Sequence, residues 1–163
     1  MSGRSGVELG AALLLAAWLG AVILFGAVVA PSAFAVLQSR TLAGELVGRI
    51  LPVLFAGGIV AGAAVAAIAA ARQGRARAVR IALGVLIVLA CGGAHFLVGG
   101  RIAAVRAEAG VPIETLPEGH PSRVTFGRLH GLSVAGLAVG ALGAMAALVL
   151  IAAGPPNPQQ RAR

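Results

Sequence analysis

Two histidines are the residues best able to do chemistry within this apolar sequence. His95 and His130 each lie near one end of a long apolar run, and Ser133 follows His130 at a spacing of three. Imidazole nitrogens bind haem iron, copper and zinc, and imidazole also titrates near neutral pH. One interpretation is a haem b or copper site that uses His95 and His130, with Cys91 as a further ligand. The alternatives are hydrogen bonding of each histidine to its neighbours and contact with a small ligand.

A second polar set, Gln38, Glu45 and Arg49, lies around the junction between the first two apolar runs. Glu45 and Arg49 are four residues apart, so they would share one face of a helix and can pair. This pair is either a structural clamp at a helix end or part of a binding site in which Arg49 holds an anion. Together with His130 and Ser133, these three residues are the predicted ligand-binding set.

The sequence carries no pattern typical of an enzyme. It has no Asp, Lys or Tyr, and we find neither a nucleophile with a base and an acid nor a glycine-rich phosphate loop. We therefore predict a non-enzymatic protein without a cofactor, unless the two histidines hold haem or copper. The 13 arginines lie at the ends of apolar runs without interleaved aromatic residues, so we expect no nucleic acid partner.

Composition indicates an integral membrane protein. Of 163 residues, 59% are hydrophobic and 11% are charged, and the mean hydropathy is +0.97, which excludes a soluble globular domain and a disordered chain. A transmembrane helix needs about 20 apolar residues. Only helices satisfy their own backbone groups in lipid. We therefore predict an all-α, polytopic four-helix bundle whose main partner is the lipid bilayer, with spans at about 9–37, 46–71, 79–98 and 129–153.

Arginine placement predicts the orientation of these spans. Arg72, Arg75, Arg77 and Arg80 lie between the second and third runs without an acidic residue among them, which is typical of a cytoplasmic loop. We therefore expect both termini to be cytoplasmic in an inner (plasma) membrane. The segment 99–128 would form an outer loop, in which residues 101–109 can extend the third helix, and 154–163 would be a disordered tail. A signal peptide cleaved near Ala35 is the less favoured alternative, because the preceding run is too long.

Glycines recur at a spacing of four in several runs. The pairs are Gly44 and Gly48, Gly58 and Gly62, Gly127 and Gly131, and Gly136 and Gly140. Small residues one turn apart allow helix backbones to approach closely in lipid. We favour packing inside one bundle over the alternative, which is a homodimer or a partner subunit that docks on the glycine-rich faces.

Two motifs resemble a known family. Residues 25–34 read FGAVVAPSAF, and residues 126–133 read FGRLHGLS. Together with Gly44 and Gly48, they resemble the bacterial domain of unknown function 4149 family, whose eukaryotic relatives are the transmembrane protein 205-like proteins. The resemblance covers about residues 9–150. It implies a four-span protein of unassigned biochemistry, and because one relative is associated with platinum-drug resistance, it implies metal or drug handling. Some relatives have Asn seven residues after the motif histidine, where this chain has Leu137. The motif positions are Pro31, Phe34, Gly44, Gly48, His130, Gly131 and Ser133.

Overall fold

A computed structural model describes residues 6–73 and 76–153 of the chain, and the described part contains four long helices and no strand. The first span (Gly6–Val36) and the third span (Arg77–Ala109) are each interrupted by a π-helical segment, whereas the second and fourth are continuous. The elements in order are α1 (Gly6–Leu24), a π segment (Phe25–Val29), α2 (Ala30–Val36), α3 (Arg40–Ala70), α4 (Arg77–Gly92), a π segment (Gly93–Val98), α5 (Gly99–Ala109), a 3-10 turn (Ile113–Thr115) and α6 (Pro121–Ala152).

All four spans are long and apolar enough to cross a membrane. In the most apolar 18-residue stretch of each span, at most 39% is buried inside the bundle. Lipid is left to cover most of the apolar surface of each span. The prediction of an all-α, four-helix, multi-pass membrane protein is thus confirmed. The tail 154–163, for which we predicted disorder, lies outside the described residues, as does Arg75.

The segment predicted as an outer loop is much shorter than expected. The third span continues to Ala109, as the sequence allowed, and α6 begins at Pro121 rather than near residue 129. Gly110 ends α5 with a left-handed φ of 65°, which glycine adopts without strain. His120 caps α6, because its Nδ1 accepts a hydrogen bond from the Ser122 amide at 3.2 Å. Charged residues therefore lengthen these helices beyond their apolar parts instead of ending them.

The prolines do not end their helices. Pro52 lies inside α3, and Pro31 lies in the first turn of α2, directly after the π segment Phe25–Val29. A proline has no N–H to give to the carbonyl four residues earlier. A π segment widens the helix locally and accommodates such a break in the hydrogen-bond pattern. The first span consequently continues to Val36.

Trp18 occupies the centre of the bundle. Its indole Nε1 donates a 2.7 Å hydrogen bond to the carbonyl of Leu54, which ties the first span to the second. A Cβ added at Gly58 would lie 2.7 Å from Trp18 Cζ2 and 2.5 Å from Cys91 Sγ. A Cβ added at Gly140 would lie 3.0 Å from the same sulfur atom. All four spans therefore meet around one indole ring, one thiol and two glycines.

The four glycine pairs found in the sequence differ in how closely other helices pack against them. Gly62 packs against Gly84 so closely that a Cβ on Gly62 would lie 2.7 Å from the Gly84 carbonyl oxygen. Gly136 packs against Ala94, where an added Cβ would lie 2.9 Å from the alanine Cβ. The pairs that begin at Gly58 and Gly136 therefore pack inside the bundle and are not available to a partner. An added Cβ at Gly127 or Gly131 would meet nothing within 4 Å.

At the end of the bundle opposite the start of α3, Glu8 pairs with Arg72, which follows α3, and with Arg80 of α4. Its Oε1 lies 3.3 Å from Arg72 Nη1 and 3.5 Å from Arg80 Nη1. Arg80 Nη2 also donates a 3.0 Å hydrogen bond to the Leu150 carbonyl of α6. These contacts connect the first, third and fourth spans and the residues that follow α3. Because their partners lie far apart in the sequence, the arginine pattern between 72 and 80 did not predict them.

Replacing Gly58 with Ala tests the central packing. We expect Gly58→Ala to lower the free energy of unfolding by about 1–3 kcal/mol, because the new methyl group overlaps Trp18 and Cys91. Gly20→Ala is the matched control, since a Cβ there meets nothing within 4 Å. Thermal unfolding of both variants in one detergent measures the difference. Equal melting temperatures would contradict the packing described here.

Replacing Glu8 with Gln tests the ion-pair cluster. We expect Glu8→Gln to destabilise the bundle by about 1–3 kcal/mol, because the Arg80 guanidinium, whose side chain is 20% exposed, loses its charged acceptor, whereas Arg72 is 42% exposed and adds little. Glu118→Gln is the control, because the Glu118 side chain is 94% exposed and its ion pair with Arg123 is long, at 4.0 Å. Loss of the Glu118 charge should therefore cost below about 0.5 kcal/mol. Similar melting temperatures for the two variants in the same thermal assay would show that the cluster contributes little.

Candidate binding cavity

A cavity of about 830 Å³ opens at the end of the bundle where α3 and α6 begin. It is lined by residues of α2, α3, α5, α6, the π segment Gly93–Val98 and the 3-10 turn. Its volume lies within the range of roughly 300–1,000 Å³ that is typical of small-molecule sites. Most of the predicted ligand-binding residues lie in this lining: Glu45, Arg49, His130 and Ser133.

Arginine dominates the charges around the cavity. Arg40, Arg49 and Arg106 line it together with Glu45 and Glu114, so the basic groups outnumber the acidic ones. Three phenylalanines share the lining: Phe34, Phe55 and Phe126. The cavity thus combines cationic groups with aromatic and aliphatic walls, which suits a ligand that has both an anionic and an apolar part.

Several polar groups of the lining are held by neighbours. The Arg106 guanidinium carbon lies 5.1 Å from the centroid of the Phe126 ring, within the range of a cation–π contact. The Phe126 ring stacks on His130 at 6.1 Å with an interplanar angle of 8°. Glu114 Oε2 accepts a hydrogen bond from Thr41 Oγ1 at 3.3 Å. Arg106, His130 and Glu114 are consequently oriented by contacts inside the protein.

The predicted pairing of Glu45 with Arg49 does not occur. Within residues 6–73 and 76–153, no ion pair or hydrogen bond involves the side chain of Arg40, Glu45 or Arg49. Glu45 and Arg49 have the spacing that a helical pair needs, but both are exposed, and an exposed pair gains little from closing. Two guanidinium groups on α3 therefore line the cavity without a protein anion as partner.

His95 reaches the cavity from the π segment Gly93–Val98. Its ring lies 4.5 Å from the Phe96 ring and 6.3 Å from the Phe55 ring, measured between centroids. Both predicted histidines therefore line one cavity. Cys91 does not join them, because its side chain is fully buried in the core against Gly58 and Gly140. No cluster of three or more His, Cys, Asp or Glu side chains suited to a metal ion occurs in the described part of the chain.

Backbone geometry adds polar groups to the wall. Gly48 and Pro52 both line the cavity, and Pro52 has no N–H to donate to the Gly48 carbonyl. Ser133 is 4% exposed and lines the same cavity from α6. Gln38, in contrast, lies in the connection between α2 and α3 and is not part of the lining.

Sequence reasoning missed three charged residues of this cavity. Arg40 is the first residue of α3, Arg106 lies on the helical extension of the third span, and Glu114 lies in the 3-10 turn. The possible extension over residues 101–109 was the one signal that could have placed Arg106 near the end of the bundle. The position of Glu114 depends on how the short connection folds back, for which the sequence has no local signal.

Comparison with protein families matches residues 13–110 to a family described as a domain of unknown function (DUF4149). The match contains most of the first span and the whole of the second and third spans, including Phe34, Arg49 and His95. It ends before α6, so the motif with His130 and Ser133 lies beyond the matched range. Comparisons with curated proteins and with solved structures find no match.

Proposed function

Because the chain belongs to the domain of unknown function 4149 family and spans a membrane with four helices, we propose its function from its cavity. We propose a non-catalytic membrane protein that binds a small molecule with an anionic group. The observation that carries this proposal is the convergence of Arg40, Arg49 and Arg106 on a cavity that also has phenylalanine walls.

Arg40 and Arg49 supply the chemistry of recognition. A guanidinium group presents a planar set of donors that fits a carboxylate, sulfonate or phosphate with two parallel hydrogen bonds. Polar groups at membrane depth are costly unless they pair or face a cavity. An anion bound in this cavity would pair with both arginines and lower that cost. Glu45 and Glu114 also line the cavity, so the three arginines leave one net positive charge among the lining residues.

We also propose an orientation for the protein. Arg72, Arg77 and Arg80 lie around the connection of the second and third spans, at the end of the bundle that Glu8 occupies. Basic connections remain on the cytoplasmic side of a membrane. The cavity would then open towards the outside of an inner (plasma) membrane, with both termini in the cytoplasm.

A pair of ligands of opposite charge tests the proposal. We expect naphthalene-2-sulfonate to raise the melting temperature of the purified protein, and 2-naphthyltrimethylammonium to leave it unchanged. Arg49→Ala should weaken sulfonate binding by about 10- to 100-fold, because a hydrogen bond to a charged group is lost. Arg128→Ala is the control, since Arg128 is an exposed residue at the same end of α6 that does not line the cavity. Stabilisation by the cation, or equal losses in both variants, would contradict the proposal.

A haem or copper function is the second candidate, because the same cavity is lined by both His95 and His130. Its test is the absorption spectrum of the detergent-purified protein, with the metal content of the same sample. A Soret band or one copper per chain that His95→Ala removes would replace the anion proposal. Under the anion proposal, we expect a colourless preparation whose sulfonate binding survives His95→Ala.

A further inference from the structure

Building on the proposed binding function, we infer that the ligand is a single-chain anionic amphiphile that reaches the cavity sideways from the bilayer. The anionic group would lie among the three arginines of the lining, and the hydrocarbon chain would extend towards Phe55 and Ala94. Three observations lead to this inference: the order of polarity along the cavity, an open side between two helices, and the cavity volume.

Polarity changes along the cavity as it does across one leaflet. Arg40 is the first residue of α3, whereas Phe55 is the middle residue of that 31-residue span. Fifteen residues of α-helix separate them, which is about 22 Å along the axis. Ala94, also at the cavity, lies near the middle of the third span and is buried. The cavity therefore runs from a charged mouth at the end of the helices to a largely apolar floor near the centre of the bundle.

An amphiphile would lie in this cavity as a lipid lies in the membrane. Charged groups are stable at the interface and costly at the bilayer centre, so the charged mouth belongs at the interface and the apolar floor belongs at the centre. His95 and Ser133 are the polar exceptions at the floor. The His95 ring lies beside two phenylalanine rings, and Ser133 is small and buried. Most of the surface at this depth is left for hydrocarbon.

Among the described residues, the side of the cavity between α2 and α6 has no extensive helix–helix contact to close it. The α2 helix packs along α3 and makes no comparable contact with α6, which packs instead on α1, α4 and α5. Phe34 of α2 lines the cavity and is still 51% exposed. Because α2 and α6 both belong to membrane-spanning segments, the gap between them faces lipid. A ligand dissolved in the bilayer can reach the cavity through this gap.

The volume suits a ligand with a single hydrocarbon chain. About 830 Å³ lies within the range of roughly 300–1,000 Å³ that is typical of small-molecule sites. Net positive charge among the lining residues selects a carboxylate or phosphate over an ammonium group. A long-chain carboxylate such as palmitate therefore represents the proposed class.

Binding of radiolabelled palmitate to the delipidated full chain in detergent tests this inference. We expect one palmitate per chain, little competition from hexanoate, which has the same carboxylate without the long chain, and none from hexadecyltrimethylammonium. Gly48→Phe should weaken binding at least tenfold, because Gly48 lines the cavity and an added Cβ there meets nothing within 4 Å. Gly20→Phe is the matched control, since Gly20 is equally free of neighbours and lies outside the cavity lining.

A photoreactive palmitate in phospholipid vesicles tests its position. With a diazirine at the end of the chain, we expect crosslinks near Phe55 that Gly48→Phe abolishes. Crosslinks confined to outward-facing residues, or palmitate binding unchanged in Gly48→Phe, would overturn the inference. If naphthalene-2-sulfonate binds and palmitate does not, the amphiphile inference fails while the proposed function stands. If neither anion binds, both fail.

Discussion

Close packing around Trp18 is the constraint on which the rest of the structure depends. Lipid tails are as apolar as leucine, so helices in a membrane gain little from hiding apolar side chains and must gain from contact and hydrogen bonding. Trp18 supplies both, because its indole donates to the Leu54 carbonyl and its ring lies against Gly58 and near Gly140. With the four spans held together at this level, α2 and α6 are free to separate at one end without loss of the bundle.

The two ends of the bundle treat their charges differently. At one end, the Glu8 carboxylate lies within ion-pair distance of two arginines, and Arg80 also bonds the last turns of α6 through the Leu150 carbonyl. At the other end, Arg40 and Arg49 have no such partner among the described residues. Arginines therefore help to close the end of the bundle where an acidic residue of another span pairs with them. At the other end, where Arg40 and Arg49 have no such partner, the arginines line an open cavity.

The apolar composition and the length of the runs were sufficient to predict the four spans, because lipid demands helices of a fixed minimum length. Glu45, Arg49, His130 and Ser133 could be assigned to one end for the same reason, since depth follows directly from position in a span. The depth of a residue in the membrane does not determine which face of its helix it occupies, nor how the connections between helices fold. The sequence therefore left Cys91 open as a further ligand beside His95, although it faces the core, and Glu114 was missed because it comes from the 3-10 turn.

Irregular backbone at the cavity is consistent with a cavity that holds polar groups within the membrane. An unsatisfied carbonyl is costly against lipid and tolerable where it faces protein, water or a ligand. Pro52 leaves the Gly48 carbonyl without its helical donor, and the π segment Gly93–Val98 alters the hydrogen-bond pattern at His95. Both departures occur in residues that line the cavity rather than on a face left to lipid alone.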